Sequence, residues 1–313
     1  MPFRRWQVGA VRITQLVELT NVRPPNFVFR NLDQEEVLRQ TWLRPHFATS
    51  DGKLISLTQS FILEYDGQRI IVDTCIGNDK DRKNPAWNKL SLPFLEQLCE
   101  AGFSPQDIDV VLCTHLHVDH VGWNTRLVGD RWMPTFPNAA YFFGRTEWEH
   151  WSRHDNPELE GDMPPEVAVN VMEARRVYDD SVRPIVEAGL HRLVDPDHRI
   201  NDAVSLTPTP GHTPGHVSVC ISSQGQEAII TGDLIHHPIQ CADPGIASNF
   251  DYDVAQARAT REQFLARYAD CSTLVIGTHF AEPTAGRISR HGSTWRFSSE
   301  EMTQADDRLE SSV

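Results

Sequence analysis

The chain has no Cys-x-x-Cys pair, no apolar run approaching the length of a membrane span, and fewer basic than acidic side chains. Each shortage excludes something. Lys+Arg 29 against Asp+Glu 43 gives a net charge of -14, which argues against a nucleic-acid partner, since such binding rests on neutralising phosphates with Lys and Arg. The six cysteines, Cys75, Cys99, Cys113, Cys220, Cys241 and Cys271, lie partly in apolar strand-like runs and read as free thiols of a reducing compartment. A disulfide framework or a thiolate metal site fits them less well. Basic residues near the N-terminus are followed by no apolar core of signal-peptide length. No membrane association and a cytoplasmic location are therefore expected. There is no Gly-x-Ser-x-Gly elbow, so a serine nucleophile finds no support. Low-complexity tracts and solenoid repeats are missing too.

What is present is ordinary in bulk, with 313 residues, 40% hydrophobic and 23% charged, and particular in its pattern. Strands are expected at residues 6–18 and 54–73, the latter turning at Asp66-Gly67. Between them Asn21 to Phe29 forms an apolar arm that Pro24-Pro25 keeps out of helix; it reads as a surface loop, a flap over a site or a dimer contact. Residues 89–101 carry helical spacing (Leu90, Phe94, Leu95, Leu98) with Gly102 as the stop. Further strands are expected at 109–113, 139–143, 190–194, 203–207, 216–222, 227–231, 273–277 and around 287–297, and helices at 145–155, about 165–188 and 252–268. Interleaved strands and helices with no linker predict one domain over 1–313, with the arm at about 20–50.

The chemistry concentrates in Thr114-His115-Leu116-His117-Val118-Asp119-His120, directly after the apolar run 109–113. Imidazole nitrogen and carboxylate oxygen are the donors that borderline divalent metals prefer. In an extended segment, His-x-His puts two rings on one side. Four further stretches end strands in metal-competent residues or precede one: Val72-Asp73-Thr74, Pro210-Gly211-His212-Thr213-Pro214-Gly215-His216, Thr231-Gly232-Asp233 and Gly277-Thr278-His279. Loops at strand ends are where α/β proteins assemble sites.

This order, His-x-His-x-Asp-His, then Pro-Gly-His-x-Pro-Gly-His, then Gly-Asp, then Gly-x-His, resembles the metallo-β-lactamase superfamily. Within it, the pattern resembles the dinuclear-zinc N-acyl homoserine lactonases and the methyl parathion hydrolase-like enzymes. The resemblance implies an α/β (α+β) fold, an αββα sandwich of two mixed sheets with helices outside. It implies two divalent ions, Zn²⁺ in the first instance. His115, His117 and His216 would hold one ion and Asp119, His120 and His279 the other, with Asp233 bridging them. Asp73 would orient a ligand histidine and His212 would be structural. With no Cys at a ligand position, the thiolate-containing β-lactamase subclass is disfavoured.

The implied reaction is hydrolysis of a lactone or carboxylic ester, a small-molecule substrate, by a metal-bridging hydroxide, with Asp119 relaying a proton to the leaving alkoxide. Three residues past Asp233, where many such lactonases carry a tyrosine, stands His236, which can donate a hydrogen bond or act as an acid. The Asp-Leu-Ile continuation and the closing segment 286–297 look more like the methyl parathion hydrolase branch, so a phosphotriesterase is the alternative. A non-hydrolytic metal-binding or redox relative is a third reading. Trp123, Phe27, Phe29 and Phe280 are candidates for the substrate pocket, with Trp148 and Trp151 behind them. The arm and the resemblance also suggest a homodimer.

Overall fold

Runs of β-branched and aromatic residues build two separate sheets. The computed structural model describes residues 3–152 and 173–299. The chain divides into two compact units, Met1–Glu18 with Thr58–His198, and Leu19–Leu57 with Arg199–Val313. No helix among the described residues is long and apolar enough to cross a membrane.

Most of a seven-stranded sheet lies in the first unit. Its strands are β1 (Arg5–Val8), β2 (Val11–Arg23), β3 (Leu54–Tyr65), β4 (Gln68–Val72), β5 (Val110–Leu112), β8 (Ala140–Gly144) and β9 (His191–Val194), in the order β1-β2-β3-β4-β5-β8-β9. A separate hairpin, β6 (Thr125–Val128) with β7 (Arg131–Pro134), completes the unit. Asp66 and Gly67 both take positive φ, the geometry a two-residue hairpin turn demands, and so join β3 to β4. From β4 onward the pairing is parallel, with Ile70 opposite Val110 and Val72 opposite Leu112. Matched ends deliver Asp73 and the residues after Leu112 to the same sheet edge. Leu16, Ile62, Ile71, Val111, Tyr141 and Phe143 form the core with Phe94 and Leu98 of the helix Phe94–Glu100. That helix starts five residues later than its apolar spacing predicts, because Pro93 biases the residue before it away from the helical region.

The helix expected at about 165–188 lies outside the described residues up to 172. From 173 the chain is helical, widens to a π-turn at Tyr178–Val182, and continues as Arg183–Glu187. The physical cause is Pro184, which lacks the N–H that would bond the Asp180 carbonyl. That carbonyl instead accepts from Lys80 Nζ at 3.2 Å and from the Thr125 hydroxyl. The Asp180 carboxylate takes a two-pronged bond from Arg82 at 2.6 and 2.8 Å. Lys80, fully buried, also lies 3.8 Å above the Trp132 ring.

Burial pulls the Lys80 ammonium down to about 7, against the opposing pull of Asp180. A lysine depressed in the folded state contributes stability that is complete above its unfolded value and is lost as pH falls toward 7. Chemical denaturation at pH 7 and pH 10 should therefore show the wild type gaining on Lys80→Met by a few kcal/mol, at about 1.4 kcal/mol per unit of pKa depression. A pH-independent difference would contradict this.

The second unit carries a six-stranded sheet in sequence order: β10 (Val204–Pro208), β11 (Val217–Ser223), β12 (Gln226–Ile230), β13 (Leu274–Ile276), β14 (Ala285–His291) and β15 (Thr294–Ser298). Only β12 and β13 pair in parallel, with Ile230 opposite Ile276. Their matched ends bring Thr231-Gly232-Asp233 and Gly277-Thr278-His279 to one edge. The helix Val254–Tyr268 is capped by Asp253, whose side chain accepts the Gln256 N–H, and buries Ala257, Arg261, Phe264 and Leu265.

The arm corrects the sequence reading. Pro25 begins a helical turn, Pro25–Val28, since a missing N–H costs nothing at the first helical position. A second helix, Gln34–Arg39, follows with a reciprocal cap between Asp33 and Glu36.

Candidate metal centre

In the first unit, Asp73 leaves β4 with a left-handed φ of +55°, a conformation a non-glycine residue adopts only where its surroundings hold it. Its Oδ1 accepts the Thr114 N–H at 2.8 Å, and its Oδ2 accepts from His120 Nδ1 at 2.9 Å. A carboxylate here can only accept, so the His120 proton sits on Nδ1 and the ring presents Nε2 as its donor nitrogen. Thr114 Oγ1 lies 3.1 Å from His115 Nδ1. The His115 ring is 4.6 Å from that of His117 and 4.0 Å from that of His120, and Asp119 Oδ1 is 3.6 Å from His120 Nε2. His115 and His120 are fully buried, whereas His117 and Asp119 are half-buried.

Two features hold this loop in place. Gly122 passes so close to Ile76 that a Cβ would lie 1.8 Å from its carbonyl oxygen, so only glycine fits. Buried Glu147 accepts the Leu116 N–H at 3.1 Å, between the two histidines, and the Trp151 indole N–H at 2.6 Å. Trp151 then packs edge-on at 5.4 Å from His117.

In the second unit the centre is a carboxylate among imidazoles. Asp233 has His279 Nε2 at 3.1 Å, His236 Nε2 at 3.3 Å and His212 Nε2 at 3.4 Å. His279 Nδ1 donates to the Leu57 carbonyl at 2.7 Å, and His212 Nδ1 to Asp251 Oδ1 at 3.1 Å. Both rings thus turn Nε2 toward Asp233, as His120 presents its own Nε2 under Asp73. Burial drives the His212 ring down to about 4, with Asp251 and Asp233 opposing. It is neutral at pH 7, the form a metal requires. His236 stacks parallel to His279 at 6.0 Å, stands 4.8 Å from His212 and meets the edge of Phe29 at 6.2 Å.

His216 is different. Its Nδ1 donates to the Thr209 carbonyl at 3.0 Å, with the Thr209 hydroxyl at 2.8 Å, and its Nε2 accepts the Asp233 N–H at 2.8 Å. Both ring nitrogens serve the backbone turn. His216 was expected to hold a metal and His212 to be structural; in the structure His212 turns Nε2 to the Asp233 carboxylate and His216 turns Nε2 to the Asp233 N–H.

The pocket candidates divide. Trp123 is core, stacked on Phe94 at 5.3 Å with its indole N–H on Glu18 at 2.7 Å. Phe280 is core as well, packed against Phe47 and Phe297. Trp148 packs against Phe143, Tyr178 and His191. Phe29 is buried beside His236, while Phe27 is 42% exposed. Sequence reading missed Glu147 and Asp251, which carry no strand-end signature.

The donor chemistry fits divalent ions. In the first unit His120, and in the second His212 and His279, turn Nε2 toward a carboxylate with Nδ1 tied to an oxygen.

The sequence model of the metallo-beta-lactamase superfamily matches residues 56–279. The N-acyl homoserine lactonase AiiA of Bacillus thuringiensis subsp. kurstaki is 23% identical over 228 residues, covering 68% of this chain and 78% of its own. The N-acyl homoserine lactonase AiiB of Agrobacterium fabrum is 28% identical over 100 residues, covering 28% of this chain and 36% of its own. Among solved structures, the hydrolase AbOPH of the beta lactamase superfamily superposes with a TM-score of 0.78 at 23% identity, covering 95% of this chain and 97% of that one. AidC, a dizinc quorum-quenching lactonase, gives 0.75 at 22% identity with the same coverage. At these identities the structural likeness is one of fold.

Proposed function

The chain belongs to the metallo-β-lactamase superfamily, and we propose that within it the protein is a dinuclear-metal hydrolase that opens a lactone or cleaves a carboxylic ester, with N-acyl homoserine lactones as the substrate class. The observation that carries the reading is the Asp233 cluster, in which His212 and His279 direct Nε2 at one carboxylate from 3.4 and 3.1 Å. A carboxylate faced by imidazole Nε2 atoms whose Nδ1 is already engaged is a ligand set that a divalent cation completes.

On this reading His115, His117, Asp119 and His120 of the first unit and His212, Asp233 and His279 of the second would be the metal ligands. His212 replaces His216 in this set because both His216 nitrogens are engaged by Thr209 and the Asp233 N–H. When bound, two zinc ions would supply a hydroxide nucleophile near neutral pH and polarise the scissile carbonyl.

The chain's own groups do the rest. Asp73 fixes the His120 tautomer, and His216 anchors the backbone that presents Asp233. Asp119, half-buried and 3.6 Å from His120, would relay a proton to the departing alkoxide. His236 offers a hydrogen bond to the substrate, with the edge of Phe29 closing the wall beside it.

Turnover of a long-chain N-acyl homoserine lactone and a phosphotriester by the metal-loaded protein tests the assignment. A lactone kcat/KM at or above about 10⁴ M⁻¹s⁻¹, within the ordinary range of enzymes, is expected. Phosphotriester hydrolysis with negligible lactone opening would overturn it in favour of the organophosphate-hydrolysing reading.

A further inference from the structure

One buried carboxylate of the second unit is left unused by that account. Asp251 lies in the loop before the helix Val254–Tyr268, 39 residues beyond His212. Its Oδ1 accepts from His212 Nδ1 at 3.1 Å, and its Oδ2 accepts the Ser248 N–H at 2.9 Å. Arg261, fully buried on that helix, brings its guanidinium to 3.6 Å from the same Oδ2. Arg261 is itself locked by donating to the carbonyls of Leu234 and Pro244 at 2.9 and 2.8 Å. The backbone repeats the link, since the Tyr252 N–H donates to the His212 carbonyl and the Asp253 N–H to that of Gly211. Gly211 has φ +133°, and a Cβ there would lie 2.3 Å from the Ala257 nitrogen, so the turn carrying His212 rests directly on this helix.

The arm clamps the far side of the loop. Phe29 bridges to Ser248, the Arg30 N–H donates to the Ala247 carbonyl at 2.9 Å, and the Asn249 N–H to that of Val28 at 2.8 Å. Asn249 Nδ2 adds bonds to the carbonyls of Asn26 and Phe27.

We infer that Asp251, braced by Arg261 and the Ser248 N–H, is a positioning residue for His212. It fixes the ring with its proton on Nδ1 and Nε2 facing Asp233, and so sets metal affinity from a loop that the arm holds. The inference rests on the assignment of His212 as a metal ligand. A carboxylate that orients a ligand imidazole in this way is typically worth 10–100-fold in metal affinity.

The test titrates the metal-stripped wild type, Asp251→Asn and His212→Gln with Zn²⁺ in competition with a chromophoric chelator. Melting of the metal-free forms is measured alongside. Asp251→Asn should bind one of its metal equivalents about 10–100-fold more weakly, and Zn²⁺ should raise its melting temperature less than it does for the wild type. His212→Gln should show at least as large a loss. Wild-type affinity in Asp251→Asn, whatever its melting temperature, would overturn the positioning role while leaving the ligand assignment intact. Wild-type affinity in His212→Gln would overturn that assignment and the inference with it. Should Asp251→Asn fail to fold, long-range ¹H–¹⁵N spectra of the metal-free wild type decide. The Nδ1–H tautomer of His212 is expected, and the Nε2–H tautomer would refute the inference.

Discussion

Asp233→Ala is expected to abolish stoichiometric metal loading and to lower kcat/KM on the preferred ester by at least ~10³-fold, because on the proposed reading the ions held there would supply the hydroxide nucleophile. The same variant should keep the far-UV circular dichroism of the wild type. The tie to His216 runs through the Asp233 backbone N–H, which alanine retains. The His212 ring, which faces the lost carboxylate from 3.4 Å, is neutral at pH 7 and needs no counter-charge. Inductively coupled plasma metal analysis, run beside the activity assay, reads both outcomes. Full metal occupancy in Asp233→Ala would show that the carboxylate is not a shared ligand.

The second large effect is on stability. Asp180→Ala leaves the buried guanidinium of Arg82 without its bidentate partner and removes the carboxylate that helps to keep Lys80 charged. Breaking a buried pair by removing one partner costs roughly 3–5 kcal/mol. At a few degrees per kcal/mol for a chain of this size, the melting temperature should fall by on the order of 10 °C. Scanning calorimetry checks this. A fall of only a degree or two would mean that water or another group takes over from Asp180.

The candidate site is legible as far as it follows a strand-end rule. Asp73, His115, Asp233 and His279 follow short apolar runs, and parallel pairing of β4 with β5 and of β12 with β13 puts those ends at common edges. The different surroundings of His212 and His216 were not legible. They occupy two halves of one repeated Pro-Gly-His motif with the same local chemistry. What separates them is distant: Asp251 across a loop for His212, and Thr209 with the Asp233 N–H for His216. Local patterning has no access to either contact.

The packing of Trp123 and Phe280 was not legible for a related reason. An aromatic residue beside a ligand is as compatible with core as with cavity. Phe280 turns back onto Gly277, where a Cβ would sit 2.1 Å from its ring, and Trp123 is claimed by the buried carboxylate of Glu18. The hairpin of β6 and β7 escaped notice because its outward Leu127, Val128 and Met133 are 40–52% exposed, which blurs the alternation that marks a half-buried strand. Helix onsets were displaced wherever a local rule outranked periodicity, with Pro93 delaying one helix and Pro25 starting another.

The most direct test of the account is hydrolysis followed while metal-free protein is titrated with Zn²⁺, lactone turnover being read at each equivalent. The proposed dinuclear-metal reading predicts negligible turnover without metal and a rate that climbs until two equivalents per chain are bound. Full activity in the stripped protein, or saturation of metal binding and rate at a single equivalent, would contradict it.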